Sequence, residues 1–293
     1  MSQAETPALS IHELSVRYGR SEVVDRISLT VPRNAVYALL GRNGAGKSSL
    51  VRCAIGQQRA TSGRVEMFGM DVWRHRASLM ERVGIVAEEG DAPAEMRVGR
   101  LADFCARLCS RWDRAAFDER LKRFGIAQKP RFGDLSKGQK KQVSLALALA
   151  ASPEFLILDD PTLGLDAVAR KSLFEELIAE LADRGTTVFL TTHDLAGIES
   201  IADRVGVISG GRLVLDEDLE LLKARFRRIR FASRPVALES RFDTAAVRPW
   251  GGGTEAIVTN FAGSHAEIAE TAEIVPMSLE EIFIAVAGEG AAA

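Results

Sequence analysis

Long apolar runs, paired cysteines and a strong charge of one sign are all missing from this chain. No stretch of its 293 residues approaches the roughly 18 apolar residues that a membrane-spanning helix needs. The formal net charge of -2 gives no whole-chain field that would attract nucleic acid or an anionic membrane. The segment from Met1 to Ser10 is polar and lacks the apolar core of a signal peptide, which predicts that the chain stays in the cytosol.

Metal-ligand patterns are also lacking. Cys53, Cys105 and Cys109 form no C-x-x-C pair, which predicts reduced thiols rather than a disulfide framework. Cys105 and Cys109 could share one face of a helix, but two ligands do not make a metal site. The histidines are scattered along the chain, at His12, His75, His193 and His265. The sequence therefore predicts no metal cluster built from these residue types.

The composition is that of an ordinary soluble globular protein, with 46% hydrophobic and 27% charged residues. The length allows one large core or two unequal ones. One dense basic run is present, from Arg225 to Arg230. Because its arginines alternate with Phe and Ile, the run predicts a strand with one charged face rather than a polyanion site.

The most specific pattern lies between residues 41 and 48, where Gly-Arg-Asn-Gly-Ala-Gly-Lys-Ser fits G-x-x-x-x-G-K-[ST]. Glycines let such a loop turn sharply and bring its N–H groups against a polyphosphate. Lys47 can reach the β- and γ-phosphates, and the Ser48 hydroxyl can hold Mg²⁺. A strand predicted over Val36–Leu40 and a helix predicted over Ser48–Ile55 flank the loop, so the helix N-terminus faces the anion. The alternative is a Gly-rich turn beside a solvated lysine, which explains neither the strand before the loop nor the helix after it.

Two carboxylates, Asp159 and Asp160, follow the apolar strand predicted over Phe155–Leu158. At the end of a strand beside a phosphate loop, Asp159 can hold Mg²⁺ through water. Asp160 is then a candidate to polarise the attacking water. The alternative is that both acids form a strand-end turn before Pro161.

Two other segments are open to a structural and a functional interpretation. Ser136 can cap the helix predicted over Gln139–Ala151, and the exposed N–H groups there could instead bind an anion. His193 ends the buried strand predicted over Val188–Thr191. A single histidine at a strand end is more often structural than catalytic.

Strands alternate with helices along the chain, which predicts an α/β core with a parallel sheet. Alternating strands over Leu9–Val16 and Val23–Val31 precede the phosphate loop. A helical period from Glu95 to Phe124, with a stripe that includes Leu101, Phe104 and Leu108, indicates a helical insert. From about Arg227 the chain turns to short strands and a closing helix over Ser278–Val286, which predicts a small α+β appendage.

In order and spacing, these segments resemble the ATP-binding-cassette (ABC) ATPase family from Ala8 to about Arg225. The resemblance implies a nucleotide-binding domain at residues 1–226, with a parallel-sheet RecA-like core, an antiparallel β subdomain and a helical subdomain at about 90–152. A small C-terminal α+β extension would occupy residues 227–293. The implied cofactors are ATP and Mg²⁺.

The resemblance also implies roles for individual residues. Tyr18 matches the aromatic residue that stacks on adenine, and the signature motif at 135–139 would contact the γ-phosphate of ATP held by another subunit. Residues 164–166 match a loop at the dimer interface. The implied cofactor-binding residues are Tyr18, Gly41, Asn43, Gly44, Ala45, Gly46, Lys47, Ser48, Ser49, Ser136, Gly138 and Gln139. The implied catalytic residues are Asp160, His193 and Glu88, and the implied metal ligands are Ser48, Asp159 and Glu88.

Three positions depart from the family pattern. Asp160 stands where the family usually has Glu and is one methylene shorter, which should weaken catalysis unless the loop shifts. The glutamine of the lid loop is replaced by Glu88, or by Glu89 if the register slips by one. The third residue of the signature, normally Gly, is Lys137. Asp160 and Glu88 predict hydrolysis that is slower than usual, whereas the charge of Lys137 favours binding of the triphosphate.

The resemblance implies an ATPase subunit of a transporter, on the cytoplasmic side of the cell membrane. ATP would close a head-to-tail dimer with a second copy or a paralogous subunit, and the helical insert would dock a separate integral-membrane permease. The segment from Pro276 to Phe283 resembles the closing helix of subunits from type-2 exporters; the alternative is a capping box at Ser278 and Glu281. Other functions consistent with the family are an ATP-sensing regulatory subunit and a soluble ABC protein acting on DNA or ribosomes. Soluble ABC proteins carry either a long coiled coil between the phosphate loop and the signature motif or two cassettes in one chain. Here the insert holds no sustained heptads, and the sequence contains one phosphate loop. No nucleic-acid partner is expected.

Overall fold

The computed structural model describes residues 6–89, 92–195, 197–233, 238–262, 268 and 271–288. Its strands are β1 (Leu9–Tyr18), β2 (Ser21–Val31), β3 (Val36–Gly41), β4 (Ser62–Met67), β5 (Met70–Asp71), β6 (Val83–Val86), β7 (Phe155–Asp159), β8 (Thr187–Thr192), β9 (Arg204–Ser209), β10 (Arg212–Asp218), β11 (Arg227–Phe231), β12 (Thr244–Trp250), β13 (Gly253–Val258) and β14 (Ala272–Pro276). Its helices are α1 (Lys47–Ala54), α2 (Arg76–Met80), α3 (Val98–Leu108), α4 (Arg114–Arg123), α5 (Lys137–Ala150), α6 (Ala167–Arg184), α7 (Leu219–Arg225), α8 (Leu238–Arg241) and α9 (Leu279–Gly288). In these ranges no helix combines the length and apolarity that crossing a bilayer requires.

A mixed sheet in the order β10-β9-β3-β8-β7-β6 forms the centre of the molecule. β3 pairs in parallel with both β8 and β9, and β7 pairs in parallel with β8 and β6. Every residue of β3, β7 and β8 is buried, which explains why these strands are apolar runs without alternation. Because parallel strands end at the same edge, the phosphate loop, Asp159 and His193 all emerge on one side of the sheet.

A second sheet, in the order β2-β1-β4-β5, is antiparallel; β2 alternates between buried and exposed residues in its second half, whereas β1 has two runs of three buried residues. Its inner face packs in one hydrophobic cluster with α1 and the central sheet, through Leu9, Ile11, Leu50 and Phe155. The predicted parallel core and antiparallel β layer are therefore confirmed.

Helices α3, α4 and α5 pack around a hydrophobic cluster of their own, which includes Leu101, Phe117 and Val143. The predicted apolar stripe is only partly buried here. α3 ends at Leu108, and Phe104 and Leu108 are 54% and 66% exposed. A helix of this length packs one narrow face against α4 and α5, so the outer part of the stripe faces solvent.

A buried ion-pair cluster ties α4 to the long helix α6. The Arg120 guanidinium donates to Glu176 at 3.2 Å and to Glu180 at 2.7 Å, and all three side chains are less than 10% exposed. Arg123 and Arg184 reach the same carboxylates from the more exposed side, at 2.6 and 3.7 Å. The cluster fixes the helical part of the chain to the central sheet, because α6 lies between β7 and β8 in sequence.

The part of the chain from Arg227 onward forms an antiparallel sheet in the order β12-β13-β11-β14. Four residues of the basic run, Arg227 to Arg230, lie in the strand β11 as predicted, whereas Arg225 ends the helix α7. Two arginines of β11, Arg228 and Arg230, approach the buried carboxylate of Glu255 at 3.7 and 2.9 Å. Arg228 also lies 2.6 Å from Glu281 and Arg230 lies 3.3 Å from Glu273, so each guanidinium has a second carboxylate partner within the protein. Pro235 and His265 lie outside the described residues.

The closing helix α9 packs on the central part of the molecule. Met277, Leu279 and Ile282 are buried in the same hydrophobic cluster as Ile198. The backbone N–H of Leu279 donates to Glu199 Oε2 at 3.2 Å. The segment around α9 therefore lies against the turn that follows the β8 end.

Candidate functional site

The loop between β3 and α1 has the conformation that its glycines allow. Gly44 and Gly46 have φ of +80° and +107°, in the left-handed region that disfavours other residues. A Cβ on Gly46 would lie 2.4 Å from the Val23 carbonyl oxygen, which is too close for any side chain. Glycine at this position therefore lets the loop close on the neighbouring β2 strand and directs the first N–H groups of α1 outward.

Lys47 is buried, and its ammonium is held across the loop. Its Nζ donates to the carbonyl oxygens of Gly41 at 2.8 Å and Arg42 at 3.3 Å. Burial lowers the pKa of Lys47, and the charges of Asp160 and Asp159 oppose this effect. A cation preset in this way can meet an anion without reorganising the loop.

Asp159 ends β7 next to the start of α1. Its Oδ1 accepts a hydrogen bond from Thr191 Oγ1 at 2.6 Å and one from Ser48 Oγ at 3.4 Å. The described residues contain no group of three or more His, Cys, Asp or Glu side chains that could enclose a metal ion. A hard cation here would therefore be held by one or two oxygen ligands of the protein and complete its shell with water or phosphate oxygens, as Mg²⁺ commonly does.

Asp160 has a left-handed backbone, with φ of +46°. Its N–H donates to the Thr191 carbonyl oxygen at 3.0 Å, and its carboxylate lies 2.6 Å from His193 Nδ1 and 3.4 Å from Thr192 Oγ1. The carboxylate is only 7% exposed and the imidazole 32%. The strand-end histidine and the second acid thus form one hydrogen-bonded pair at the sheet edge.

A cavity of about 300 Å³ collects most of these groups. It is lined by Val23, Asn43, Gly44, Gly46, Lys47, Ser48, Ser49, Glu88 and Asp160. Glu88 follows β6 and brings a further carboxylate to the same wall. The cavity therefore combines a cation, hydroxyls, backbone N–H groups and acids within reach of one small polyanion.

Tyr18 lies at the end of β1 and is 46% exposed. Its hydroxyl donates to Gln58 Oε1 at 2.6 Å and lies 3.3 Å from Ser49 Oγ. The side chain is therefore tethered beside the loop and is not part of the hydrophobic core. An exposed ring in this place can stack on an aromatic base.

The signature segment lies apart from that cavity. Ser136 and Gln139 form a reciprocal capping box at the start of α5, at 3.2 and 3.0 Å. A Cβ on Gly138 would lie 3.5 Å from Leu165, so this helix start is next to the 164–166 loop. Among the described residues, none of 136–139 lines the phosphate-sized cavity. Ser136 and Lys137 are exposed at this helix start.

Comparison with known proteins decides the family. The family model described as ABC transporter matches residues 24–163. The chain is 33% identical over 219 residues to the bacitracin transport ATP-binding protein BcrA of Bacillus licheniformis, which covers 74% of this chain and 71% of the relative. It is 34% identical to the daunorubicin resistance ATP-binding protein DrrA3 of Streptomyces coeruleorubidus, over 74% of this chain and 70% of the relative.

The chain belongs to the ABC transporter family. Within that family it is an ATP-binding subunit with ATPase activity. A solved ATP-binding subunit of an ABC transporter superposes with a TM-score of 0.67 at 25% identity, over 74% of this chain and 92% of the other. The predicted family and fold are confirmed, and such subunits act with membrane permeases.

Three residues of this ABC subunit's site were missed by the sequence analysis. Thr191 and Thr192 hydrogen-bond the two aspartates, and Lys141 donates to the carbonyl oxygen of Asp160. The threonines carry a signal, because they end the same strand that precedes His193. Lys141 carries none, because polar residues surround it at the start of α5.

Proposed function

We propose that the cavity binds the triphosphate of ATP and that Tyr18 stacks on adenine. The observation that carries this proposal is the buried Lys47 ammonium, held at 2.8 Å from the Gly41 carbonyl in one cavity with Ser48 and Asp160. The loop N–H groups and the start of α1 add partial positive charge on the same side. Nine of the twelve residues assigned to the nucleotide would act at this cavity. The other three, Ser136, Gly138 and Gln139, lie at the start of α5.

The oxygen donors Ser48 and Asp159 fit Mg²⁺, and Glu88 lines the adjoining wall. When bound, the ion would neutralise charge that develops on the β- and γ-phosphates. Thr191 orients the Asp159 carboxylate by its 2.6 Å hydrogen bond, which supports a fixed ligand position. Asp159 and Ser48 would hold the ion, and Glu88 would approach it from the lid loop.

Hydrolysis requires a group that accepts the proton of the attacking water. Asp160 has the position for this role, and His193 holds its carboxylate at 2.6 Å in the described conformation. His193 would also contact the γ-phosphate once ATP occupies the cavity. Since Asp160 is one methylene shorter than glutamate, the proposed turnover is slow.

A complete site requires a second subunit. Ser136, Gly138 and Gln139 face outward beside the 164–166 loop, which supports a head-to-tail dimer in which each chain completes the cavity of the other. The partner is a second copy or a paralogous ATPase subunit. ATP would draw the two chains together, and hydrolysis would release them.

The proposed permease-docking surface is the groove beside the α3–α5 helices. It has a volume of about 620 Å³ and is lined from both sides, by Ile85 and Glu88 and by Cys105, Cys109 and Leu147. The exposed side chains of Phe104 and Leu108 adjoin it on α3 and supply apolar contact area. The subunit would thus sit peripherally on the cytoplasmic face of the cell membrane. Export is the proposed direction of transport, from the resemblance of the segment Pro276 to Phe283 to the closing helix of type-2 exporter subunits.

Steady-state hydrolysis by the purified chain tests the assignment. Lys47→Ala should abolish MgATP binding in calorimetry, and Asp160→Asn should retain binding but lose turnover. Lys171→Gln changes an exposed lysine on α6 and serves as the matched control. Unchanged ATP affinity in Lys47→Ala would refute the site. Binding without turnover in the unaltered chain would instead indicate a regulatory subunit.

A further inference from the structure

A second buried lysine, Lys141 on helix α5, reaches the edge of the central sheet where Asp160 lies. Lys141 lies five residues after Ser136 on α5, and it is 5% exposed. Its ammonium donates to the backbone carbonyl oxygen of Asp160. A buried ammonium is costly unless it meets acceptors or negative charge, so its presence here demands a local reason.

The contact falls on a residue whose backbone conformation is uncommon. Asp160 has a φ of +46°, which is uncommon outside glycine although Asp and Asn adopt it more often than other residues, and its N–H donates to the Thr191 carbonyl oxygen at 3.0 Å. Lys141 binds the other end of the same residue, at its carbonyl oxygen. The two contacts fix the peptide groups on both sides of the carboxylate, and therefore the direction in which the carboxylate points.

Charge gives a second reason for a cation at this position. Two carboxylates line the cavity, those of Glu88 and Asp160, and Asp159 lies next to it through its contact with Ser48, so a polyanion has to enter beside negative charge. Burial lowers the pKa of Lys141, and the charges of Asp160, Glu88 and Asp159 oppose that effect. Lys47 is the lysine that lines the cavity, and Lys141 adds a second cation at the Asp160 backbone.

We propose that Lys141 is a positioning residue for ATP hydrolysis, which holds the Asp160 backbone in its productive conformation and offsets negative charge at the cavity edge where Asp160 and Glu88 lie. Because Lys141 shares α5 with Ser136, it also links the helix that faces the partner's nucleotide to the base of its own subunit. A displacement of the start of α5 would reach Asp160 through this one contact. The inference rests on the proposed role of Asp160 as the base.

The test compares steady-state ATPase kinetics of Lys141→Met, Lys141→Arg and Asp160→Asn in the full chain. Lys141→Met keeps most of the side-chain length but removes the charge and the donor. Its kcat should fall about tenfold or more, while KM for ATP changes by less than about twofold, because only the geometry of the base is lost. Lys141→Arg should recover most of the loss. Lys122→Gln, an exposed lysine on α4 of the same helical region, is the control.

A double-mutant cycle with Glu88→Gln separates the charge from the backbone contact. If Lys141 offsets Glu88, the loss in Lys141→Met should be smaller in the Glu88→Gln background, as a non-additive pair. Thermal melts accompany every variant. If Lys141→Met does not fold, the same comparison is made with Lys141→Gln.

Three results would overturn the inference about Lys141. An unchanged kcat in Lys141→Met, with Asp160→Asn inactive, overturns the inference and leaves the proposed function intact. A parallel loss of Tm, KM and kcat that arginine does not rescue shows a structural lysine and also overturns it. Normal turnover in Asp160→Asn removes the proposed base and this inference with it.

Discussion

Replacing Asp160 by glutamate is expected to raise the turnover number for ATP. One carboxylate oxygen of Asp160 already lies 2.6 Å from His193 Nδ1, and the other lies 3.4 Å from Thr192 Oγ1. A longer side chain cannot advance in those directions, so it must extend toward the cavity lined by Lys47 and Glu88. One methylene carries the carboxylate about 1.5 Å further, toward the separation of about 3 Å at which a base meets its water.

The size of the gain follows from the contribution of a general base, which is about 10²–10⁴-fold when well placed. A base that is set back but still present leaves room for an increase of about tenfold in kcat, or about 1.4 kcal/mol of transition-state free energy. KM for ATP should change by less than about twofold, because ground-state contacts are untouched. Steady-state hydrolysis at saturating MgATP measures both constants.

An equal or lower kcat for Asp160→Glu, with an unchanged Tm, would refute this reasoning. It would mean that the loops fit aspartate and that the longer side chain crowds the water. Glu88 would then share the proton transfer, and Glu88→Gln would also depress turnover. The double variant at saturating MgATP distinguishes the two cases, because shared work predicts a non-additive loss.

Three further changes test other parts of the molecule. Tyr18→Ala should weaken ATP binding by about 1–3 kcal/mol in calorimetry, while Tm without nucleotide stays nearly constant, since the ring is exposed. In an Asp160→Asn background ATP should trap a dimer on a sizing column, and adding Ser136→Arg should abolish it; a chain that stays monomeric with Ser136 intact would contradict the head-to-tail arrangement. Arg120→Met should lower the free energy of unfolding by about 3 kcal/mol in urea titrations, because its buried carboxylate partners lose one cation while neighbouring arginines remain. Arg100→Met, at an exposed pair of 4.0 Å, should cost less than about 1 kcal/mol.

The parts of the site that could be predicted from the sequence have local signals. The spacing around Lys47 defines a loop in which two glycines, Gly44 and Gly46, adopt positive φ. Asp159 and His193 each follow an apolar run, and such runs become buried parallel strands. The sheet edge where they meet follows from that alternation of strands and helices. The individual roles assigned to these residues remain predictions.

Other features depend on contacts between distant segments and could not be predicted. The position of β3 between β8 and β9 joins residues separated by about 150 positions, and no local pattern specifies that order. Lys141 stands among polar residues at the start of α5, and only packing against the end of β7 decides which of them turns inward. Periodicity placed Phe104 on the stripe of Leu101, but it could not tell that α3 would leave Phe104 exposed.

The contact between α9 and the turn after β8 has a consequence for synthesis of the chain. Met277 and Ile282 share a hydrophobic cluster with Ile198, although about 80 residues separate them in sequence. While the ribosome is still producing the intervening segment, this flank of the ATPase core has no cover and presents apolar surface to the surroundings. The nascent chain therefore reaches its final packing only after the stretch around Ile282 has emerged, and that delay is the period in which a chaperone would have reason to hold it.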